Sequence, residues 1–253
     1  MPSKASASSR KRHPWLKWFI IGLLGLGVSA SLGLAVVWSV YAQEANGFLQ
    51  LFALRVPKTI TKVLDRNGDI IGVFAEEHRV VIPYGDIPRA FIGGLIATED
   101  ANFLKHSGVS PKGFARAFWN FVRSGGRRRE GASTLTMQLV RTVTAKRQKR
   151  LNRKLKEIVL ATKLEKAYTK KQILEMYANE VYFGGGRYGI EAASQYYFRK
   201  SAPQLTIEEG AMMAGMVQQP ERFAKLLFSM NPKDREIVRN RRNHVLGRMG
   251  AEG

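Results

Sequence analysis

The chain has 253 residues, a formal net charge of +21 and no cysteine. This length allows one sizeable domain and an anchor. The lack of cysteine excludes disulfides, thiolate zinc sites and thiol nucleophiles. The positive charge predicts an anionic partner, which can be nucleic acid, anionic lipid or a phosphorylated substrate.

An apolar stretch near the N-terminus predicts a membrane anchor. Residues 18–43 carry no charge, and a helix of about 25 residues spans about 38 Å, enough to cross a bilayer core. Residues 1–17 hold five cations and no acid, so the positive-inside rule places this basic tail in the cytoplasm and the rest outside. A signal peptide cleaved after Val28-Ser29-Ala30 is the alternative, but the apolar run continues well beyond that point.

A connector with a small β segment is predicted for residues 44–85. Asn67-Gly68 separates the apolar runs 62–65 and 70–74, and this pattern predicts a hairpin. Residues 80–82 are a candidate third strand.

The pattern is mainly helical from residue 86 onwards. Capping boxes at Thr169 and Thr206 predict helices that end near Asn179 and Val217. The stretch 184–189 is too rich in glycine for helix and is predicted to be a tight loop. A mobile basic loop is predicted at 124–129. Five positions mark the predicted inner face of a helix near 151–162: Leu151, Leu155, Ile158, Val159 and Thr162.

Four aromatic residues suggest a surface that dips into a membrane. With cations at the edges of the segment, the pattern suits a bilayer interface, whereas a core helix is the alternative. They are Phe114, Phe118, Trp119 and Phe121.

Five blocks carry the functional signal. The first block is 98–108, in which Glu99-Asp100 follows the apolar run 91–97. An acid at the lip of a cleft can have a pKa suited to proton transfer, although a lone acid pair is usually solvated. The other blocks are 130–141, 153–157, 173–190 and 205–220. In order and spacing these blocks resemble the peptidoglycan glycosyltransferase family, from about Asp65 to Met249. Its members are the lysozyme-like polymerases of class A penicillin-binding proteins and their monofunctional relatives.

The resemblance implies a mainly α, lysozyme-like glycosyltransferase domain over 86–250. The implied enzyme joins lipid II disaccharides into glycan strands with inversion and releases polyprenyl pyrophosphate. It would be a single-pass protein of the bacterial inner membrane with its catalytic domain outside. The implied partners are lipid II, the growing strand, the membrane and other cell-wall synthesis proteins. Nucleic acid is not expected, because no recognition motif for it is present.

The resemblance makes Glu99 the general base, which a poorly nucleophilic sugar hydroxyl needs. Glu157 is the second catalytic acid and would hold the pyrophosphate directly or through Mg²⁺ or Mn²⁺. Its alternative is a surface pair with Arg153, one helical turn earlier. On the catalytic hypothesis, Glu157→Ala is expected to leave the melting temperature nearly unchanged.

Further residues are assigned to the substrate by the same resemblance. The cations among them would neutralise phosphate. His106 is equally compatible with a structural hydrogen bond, and Ser133 or Thr134 with a helix cap. The residues are Asp100, Phe103, His106, Ser133, Thr134, Gln138, Arg141, Arg153, Lys154 and Tyr182.

Several positions depart from the commonest family pattern, at Ser110, Ala132, Met137, Thr142 and Ala178. They bear on substrate affinity rather than on the type of reaction. Two other functions remain open: a lysozyme-like hydrolase, which needs a general acid of raised pKa, and a non-catalytic scaffold that binds wall precursors. The sole Ser-x-x-Lys is at 8–11 in the basic tail, so covalent penicillin binding is not expected.

Overall fold

The computed structural model describes residues 14–53, 61–74, 78–125, 131–144 and 150–252. Two compact units are present, one ending at Asn46 and one beginning at Gly47. The basic tail before residue 14 and most of the loop predicted at 124–129 lie outside the described residues.

Helices dominate the described structure, which confirms the mainly α prediction. Their bounds are α1 Pro14–Ala53, α2 Arg89–Glu99, α3 Pro111–Arg123, α4 Leu135–Val143, α5 Arg150–Ala167, α6 Lys170–Glu180, α7 Ile190–Phe198, α8 Ile207–Met216, α9 Pro220–Leu227 and α10 Pro232–Glu252. The strands are β1 Thr61–Leu64, β2 Ile70–Phe74, β3 His78–Arg79 and β4 Arg187–Tyr188.

One described helix is long and apolar enough to cross a membrane. Lys17–Gln43 within α1 has a mean hydropathy of 2.3, and large apolar side chains such as Trp18, Leu26 and Val36 are exposed. An N-terminal helix of this kind is consistent with a single-pass anchor and also with a signal sequence.

The predicted hairpin is confirmed. β1 and β2 pair antiparallel, and the Asp65 carboxylate accepts hydrogen bonds from the backbone N–H groups of Asn67 and Asp69 at 2.8 and 2.9 Å. A side chain that satisfies its own turn in this way explains why local sequence specifies the hairpin.

The prediction of a third strand at 80–82 is wrong. The next strand is β3, and it pairs in parallel with β4, far along the chain. Residue Ile82 is held instead by the side-chain amide of Asn179, which accepts from its N–H at 3.0 Å and donates to its carbonyl at 2.8 Å. The amide gives this segment the backbone partners that a strand would have given it.

Helices α2, α8 and α10 pack together as a core. At Gly94 in α2, an added Cβ would lie 2.8 Å from the Cβ of Ala214 and 2.9 Å from Val245. The helices therefore approach more closely than any larger residue allows, and this fixes the end of α2 on which Glu99 stands.

Helix α4 packs against α5 and α6. Both predicted capping boxes are present, at Thr169 and Thr206. The predicted inner face of α5 is partly wrong: Val159 is buried, but Leu155 is exposed and Glu157 is buried in its place. Hydrophobic spacing cannot anticipate a buried carboxylate.

Helix α3 has no buried residue. Phe118 and Trp119 are 69% and 65% exposed, and Phe121 is exposed as well. The alternative of a core helix is therefore wrong for this segment.

Candidate active site

Glu99 is the last residue of α2 and is held from the side by α4. The amide of Gln138 donates from Nε2 to Oε2 of Glu99 at 3.0 Å, and the hydroxyl of Tyr177 donates to Oε1 of Gln138, also at 3.0 Å. Because the tyrosine fixes which end of the amide accepts, the amide must present its N–H₂ group to the carboxylate. One carboxylate oxygen is thus engaged, and the other has none of these partners.

Tyr177 and Gln138 form a relay of two hydrogen bonds to Glu99. Tyr177 has a structural role in this relay and does not act as an acid. It is 2% exposed, and burial, followed by the negative charge of Glu99, raises its pKa far above the ordinary value. The phenol therefore stays protonated and remains a donor at any working pH.

The partly buried Arg241 interacts electrostatically with Glu99. Nε of Arg241, on α10, donates to the Gly215 carbonyl at 2.9 Å. Burial lowers the pKa of Arg241, and the charge of Glu99 opposes that shift. Its buried NH2 has no hydrogen-bond partner among the described residues, so a buried donor stands within electrostatic range of the carboxylate.

Asp100, next to Glu99, connects His106 to the first residue of α4. It accepts from Nε2 of His106 at 2.9 Å and from the backbone N–H of Leu135 at 3.1 Å. His106 Nδ1 accepts from the Gly108 N–H at 3.2 Å, so the ring proton resides on Nε2 and points to Asp100. The alternative of a structural histidine fits this geometry.

Phe103 lies beneath the cleft rather than in it. It is 0% exposed, its ring meets that of His106 edge to face, and the Lys170 ammonium lies 4.2 Å from its centroid. Phe103 therefore supports the loop that carries His106. It could affect the substrate only indirectly, by holding that loop in place.

Thr134 caps α4. Its hydroxyl accepts from the N–H of Met137 at 3.2 Å and donates to the Gly108 carbonyl at 2.6 Å. Gly108 has φ +90°, and a Cβ there would lie 2.6 Å from the backbone oxygen of Ala161. The loop after Glu99, the start of α4 and the middle of α5 are thereby locked to one another.

Glu157 is the centre of a group of charges that we call the cation cluster: Arg141, Arg153 and Lys154 around Glu157. Arg141 binds both carboxylate oxygens, from Nε at 2.9 Å and from NH2 at 3.0 Å. Arg153 and Lys154 approach at 3.4 and 3.5 Å. Glu157 is 1% exposed, so the alternative of an ordinary surface pair is wrong.

The cation cluster carries two positive charges in excess of its one acid. Burial by itself would raise the pKa of Glu157, but the hydrogen bonds and charge of Arg141, with those of Lys154, outweigh it and the pKa is lowered. Burial lowers the pKa of Lys154, with the Arg141 charge acting in the same direction. Since the cations are about half exposed, their outer faces are available to an anion.

Ser133 links the two parts of the site. Its hydroxyl accepts from Lys154 Nζ at 2.6 Å and from Arg141 NH2 at 3.3 Å. It also lines a cavity of about 70 Å³ that includes Glu99, Asp100 and Thr134. Gln138 and Arg141 stand three residues apart on α4 and so share one face of it. Ser133 and helix α4 therefore connect the cavity at Glu99 to the cation cluster, whose own residues do not line that cavity.

A resident divalent cation does not fit these residues. No group of three His, Cys, Asp or Glu side chains that could hold a metal lies within the described ranges. Both oxygens of Glu157 are engaged by cations, whereas Mg²⁺ prefers several oxygen ligands. The predicted role of Glu157 as a metal ligand stays a prediction, and no step below depends on it.

Tyr182 belongs to a different set of contacts. Its hydroxyl donates to the carboxylate of Glu221 and accepts from the Gly186 N–H, and its ring packs on Tyr188. The structure does not join it to Glu99 or to the cation cluster, and its predicted contact with substrate stays a prediction.

Several residues of the site were not identified from the sequence. Tyr177 fits the apolar inner face of α6 and carries no sign of a polar role. Arg241 and Arg248 lie far along the chain on α10, yet Arg248 lines the cavity and donates to the Ala97 carbonyl at 3.2 Å. Arg116 also lines the cavity, where an arginine on α3 was expected at a membrane edge.

Comparison with known proteins identifies the family of this chain. The model of the transglycosylase family matches residues 67–250, a range that contains Glu99, the cation cluster and the cavity. The chain belongs to the transglycosylase family. The catalytic roles of Glu99 and Glu157, which the resemblance implies, stay predictions.

Individual relatives give the same result. Penicillin-binding protein 1A of Rickettsia prowazekii is 37% identical over 84% of this chain and 26% of its own length. Penicillin-binding protein 1F of Bacillus subtilis is 37% identical over 76% of this chain and 26% of its own length. Penicillin-binding protein 1A of Escherichia coli is 40% identical over 76% and 22%. The chain thus spans about a quarter of the length of these relatives.

Proposed function

We propose that this chain polymerises peptidoglycan, transferring a growing glycan strand from polyprenyl pyrophosphate to an incoming lipid II disaccharide. Membership of the transglycosylase family supports this type of reaction. The observation that supports the proposal is an oriented carboxylate, Glu99, connected through Ser133 and α4 to a cation cluster of net charge +2.

Glu99 acts as the general base. The carboxylate oxygen that Gln138 does not hold takes the proton of the acceptor's 4-hydroxyl as the hydroxyl oxygen bonds to the anomeric carbon of the donor. Gln138 and Tyr177 hold the carboxylate in one orientation. A single displacement of this kind inverts the anomeric centre.

The cation cluster stabilises the leaving group. As the bond between the anomeric carbon and oxygen breaks, its electron pair passes to the pyrophosphate, and Arg141, Arg153 and Lys154 neutralise the new charge. Glu157 keeps the three cations in register, since Arg141 binds it through both oxygens. A pyrophosphate is already a weak base, so the reaction needs little proton donation to it.

The same observation disfavours a hydrolase. Cleaving an ordinary glycoside needs a carboxylic acid of raised pKa close to the leaving oxygen. The second acid of the site has a lowered pKa and is surrounded by cations, which suits a charged leaving group. A scaffold without catalysis would not need the oriented Glu99.

Attachment to the bacterial inner membrane completes the proposal. The substrate's polyprenyl tail stays in the bilayer, so the cleft must work next to it. Lys17–Gln43 supplies a candidate anchor, and the exposed aromatic face of α3 suits an interface. Arg116 of α3 lines the cavity, so this face and the cleft share one helix. Other cell-wall synthesis proteins are proposed as further partners.

A turnover assay with purified full chain and lipid II tests the proposal. Polymer that keeps the polyprenyl pyrophosphate at its reducing end, with release of free polyprenyl pyrophosphate, is the expected result. Shortening of pre-formed glycan would indicate a hydrolase, and binding of lipid II without product would indicate a scaffold.

A further inference from the structure

A second basic pocket lies outside the candidate active site. It has a volume of about 210 Å³ and shares no lining residue with the cavity at Glu99. Its walls are β3, β4 and α7. The lining residues are His78, Arg79, Val80, Arg187, Ala192, Gln195, Tyr196 and Arg199.

The charges of this pocket are not equally available. Arg79 is buried and ion-paired with Glu180, so its charge is largely compensated. Arg187 is held with its guanidinium 4.3 Å from the centroid of the Tyr196 ring. Stacking of this kind fixes an arginine in place and leaves the edges of its guanidinium free to donate hydrogen bonds.

Arg199 occupies an unusual backbone position. It has φ 57°, the only positive φ at a residue other than glycine within the described ranges. It ends α7 in the left-handed conformation that usually selects glycine. An arginine here accepts backbone strain that glycine would avoid, and the residue lines the pocket.

His78 lines the pocket, so an anion bound there would raise the pKa of its ring. Burial, and then the charge of Arg187, lowers its pKa, so the ring is neutral at pH 7. The charged groups around it are Arg79 on its own strand with Glu180 of α6, Arg187 of β4 and Arg199 of α7.

We infer that the pocket between β3, β4 and α7 binds a small oxyanion group, of the phosphate or carboxylate type. Two guanidinium groups from different elements offer paired N–H donors of the geometry that such oxyanions accept. The volume is below that of pockets for drug-sized ligands, so it suits a charged group rather than a whole saccharide. This inference stands on the pocket alone and does not depend on the proposed catalysis.

Calorimetric titration of the full chain in a neutral maltoside detergent tests the inference. The probes are inorganic phosphate, glycerol phosphate as a free lipid headgroup, and succinate, in buffer otherwise free of such anions. The decisive variant is Arg199→Gly, which removes the guanidinium and suits the left-handed backbone, so the fold is retained. Arg222→Ala is the matched control, because it removes an exposed arginine of α9 that lines neither cavity.

The expected result is saturable binding of at least one probe, weakened at least about tenfold by Arg199→Gly, the scale of one lost charge-assisted hydrogen bond. Arg222→Ala should leave the dissociation constant within about twofold, since the charge of an exposed arginine that does not line the pocket is screened by solvent and salt. The ring resonances of His78, assigned with His78→Gln, should shift and titrate at higher pH when the probe is bound. Which probe binds tightest identifies the source of the oxyanion.

Two results would overturn the inference. One is linear, non-saturable binding of all three probes. The other is an equal loss of affinity in Arg199→Gly and Arg222→Ala, which would show that the overall positive charge, and not this pocket, attracts the anions.

Discussion

Gln138 donates a hydrogen bond to Glu99 across 39 residues of sequence, and its amide is oriented by the buried hydroxyl of Tyr177. The relay connects α6, α4 and α2, so the position of the proposed base depends on the packing of three helices. Because Tyr177 cannot ionise at a working pH, the relay has one stable polarity.

Tyr177→Phe should lower kcat by about tenfold, equivalent to about 1.4 kcal/mol of barrier, with little change in KM. The amide of Gln138 would lose its fixed orientation while the binding surfaces stay in place. The free energy of unfolding should fall by about 1 kcal/mol. Steady-state kinetics and urea denaturation measure the two effects.

Tyr197→Phe is the control for that variant. Its hydroxyl donates to the Phe183 carbonyl at 2.9 Å, so the substitution also removes one hydrogen bond from a partly buried tyrosine. It should cost similar stability without affecting kcat. An equal fall of kcat in both variants would show that a general loss of packing, and not the loss of the relay, lowers the activity.

Glu157→Gln should lower both activity and stability. From the sequence, removal of this side chain was expected to leave the melting temperature nearly unchanged. The structure indicates otherwise, because Glu157 is buried among three cations. Without its negative charge these cations would repel one another. Loss of its charge-assisted hydrogen bonds should cost about 1–3 kcal/mol of unfolding free energy. Glu252→Gln breaks an exposed pair with Arg248 and should cost less than about 1 kcal/mol.

The pH dependence of that stability difference follows from the lowered pKa of Glu157. A carboxyl whose pKa is lowered by folding contributes stability that is fully present above its ordinary value of 4.5 and is lost as the pH falls through the folded value. The gap between wild type and Glu157→Gln should therefore be constant near neutrality and narrow below pH 4.5. A gap independent of pH down to strong acid would mean that ionised Glu157 is not stabilised by folding.

Trp119 should lie in the lipid when the full chain is in vesicles. With the other tryptophans at 15, 18 and 38 changed to Phe, brominated acyl chains should quench its fluorescence strongly. A second protein with Trp119→Phe and Ile237→Trp places the single tryptophan at an exposed position of α10 instead of on the aromatic face of α3, and it should be quenched little. Equally weak quenching in both proteins would show that α3 does not enter the membrane.

Mn²⁺ should not bind tightly to the full chain without substrate, because Glu157 already has cations on both oxygens. The electron paramagnetic resonance signal of free Mn²⁺ measures this directly. We expect a loss of that signal after lipid II is added, with the pyrophosphate supplying the missing oxygens. Strong binding to the protein alone would contradict the fit of the residues and restore the sequence-based prediction of a metal ligand at Glu157.

Local signals in the sequence predicted much of the fold. The hairpin at Asn67-Gly68 and the caps at Thr169 and Thr206 depend on residues within a few positions of one another, so local reasoning sufficed. The pairing of β3 with β4 joins segments about a hundred residues apart, and nothing local at residues 80–82 shows that Asn179 takes up their hydrogen bonds.

Site residues could be predicted from the sequence where the chemistry requires a particular residue type. They were harder to predict where helix packing alone brings a residue into the site. Glu99, Glu157 and Arg141 follow from the family motifs, and in the structure Ser133 connects the cavity at Glu99 to the ion pair of Arg141 with Glu157. Tyr177 and Arg241 are placed there by helix packing, and a buried tyrosine or arginine has the same appearance in a sequence whatever it supports. Phe103, predicted at the substrate, proved to lie in the core below it.

The most direct test of the account is turnover of lipid II by Glu99→Gln in the full chain. The substitution keeps the shape of the side chain and removes its basicity, so polymer formation should fall at least about a hundredfold, the scale of a general base. Melting temperature and lipid II binding should stay close to wild type, and Glu208→Gln, which removes an exposed acid of α8, should retain full turnover. Polymerisation by Glu99→Gln at nearly the wild-type rate would contradict the central claim that Glu99 takes the acceptor's proton.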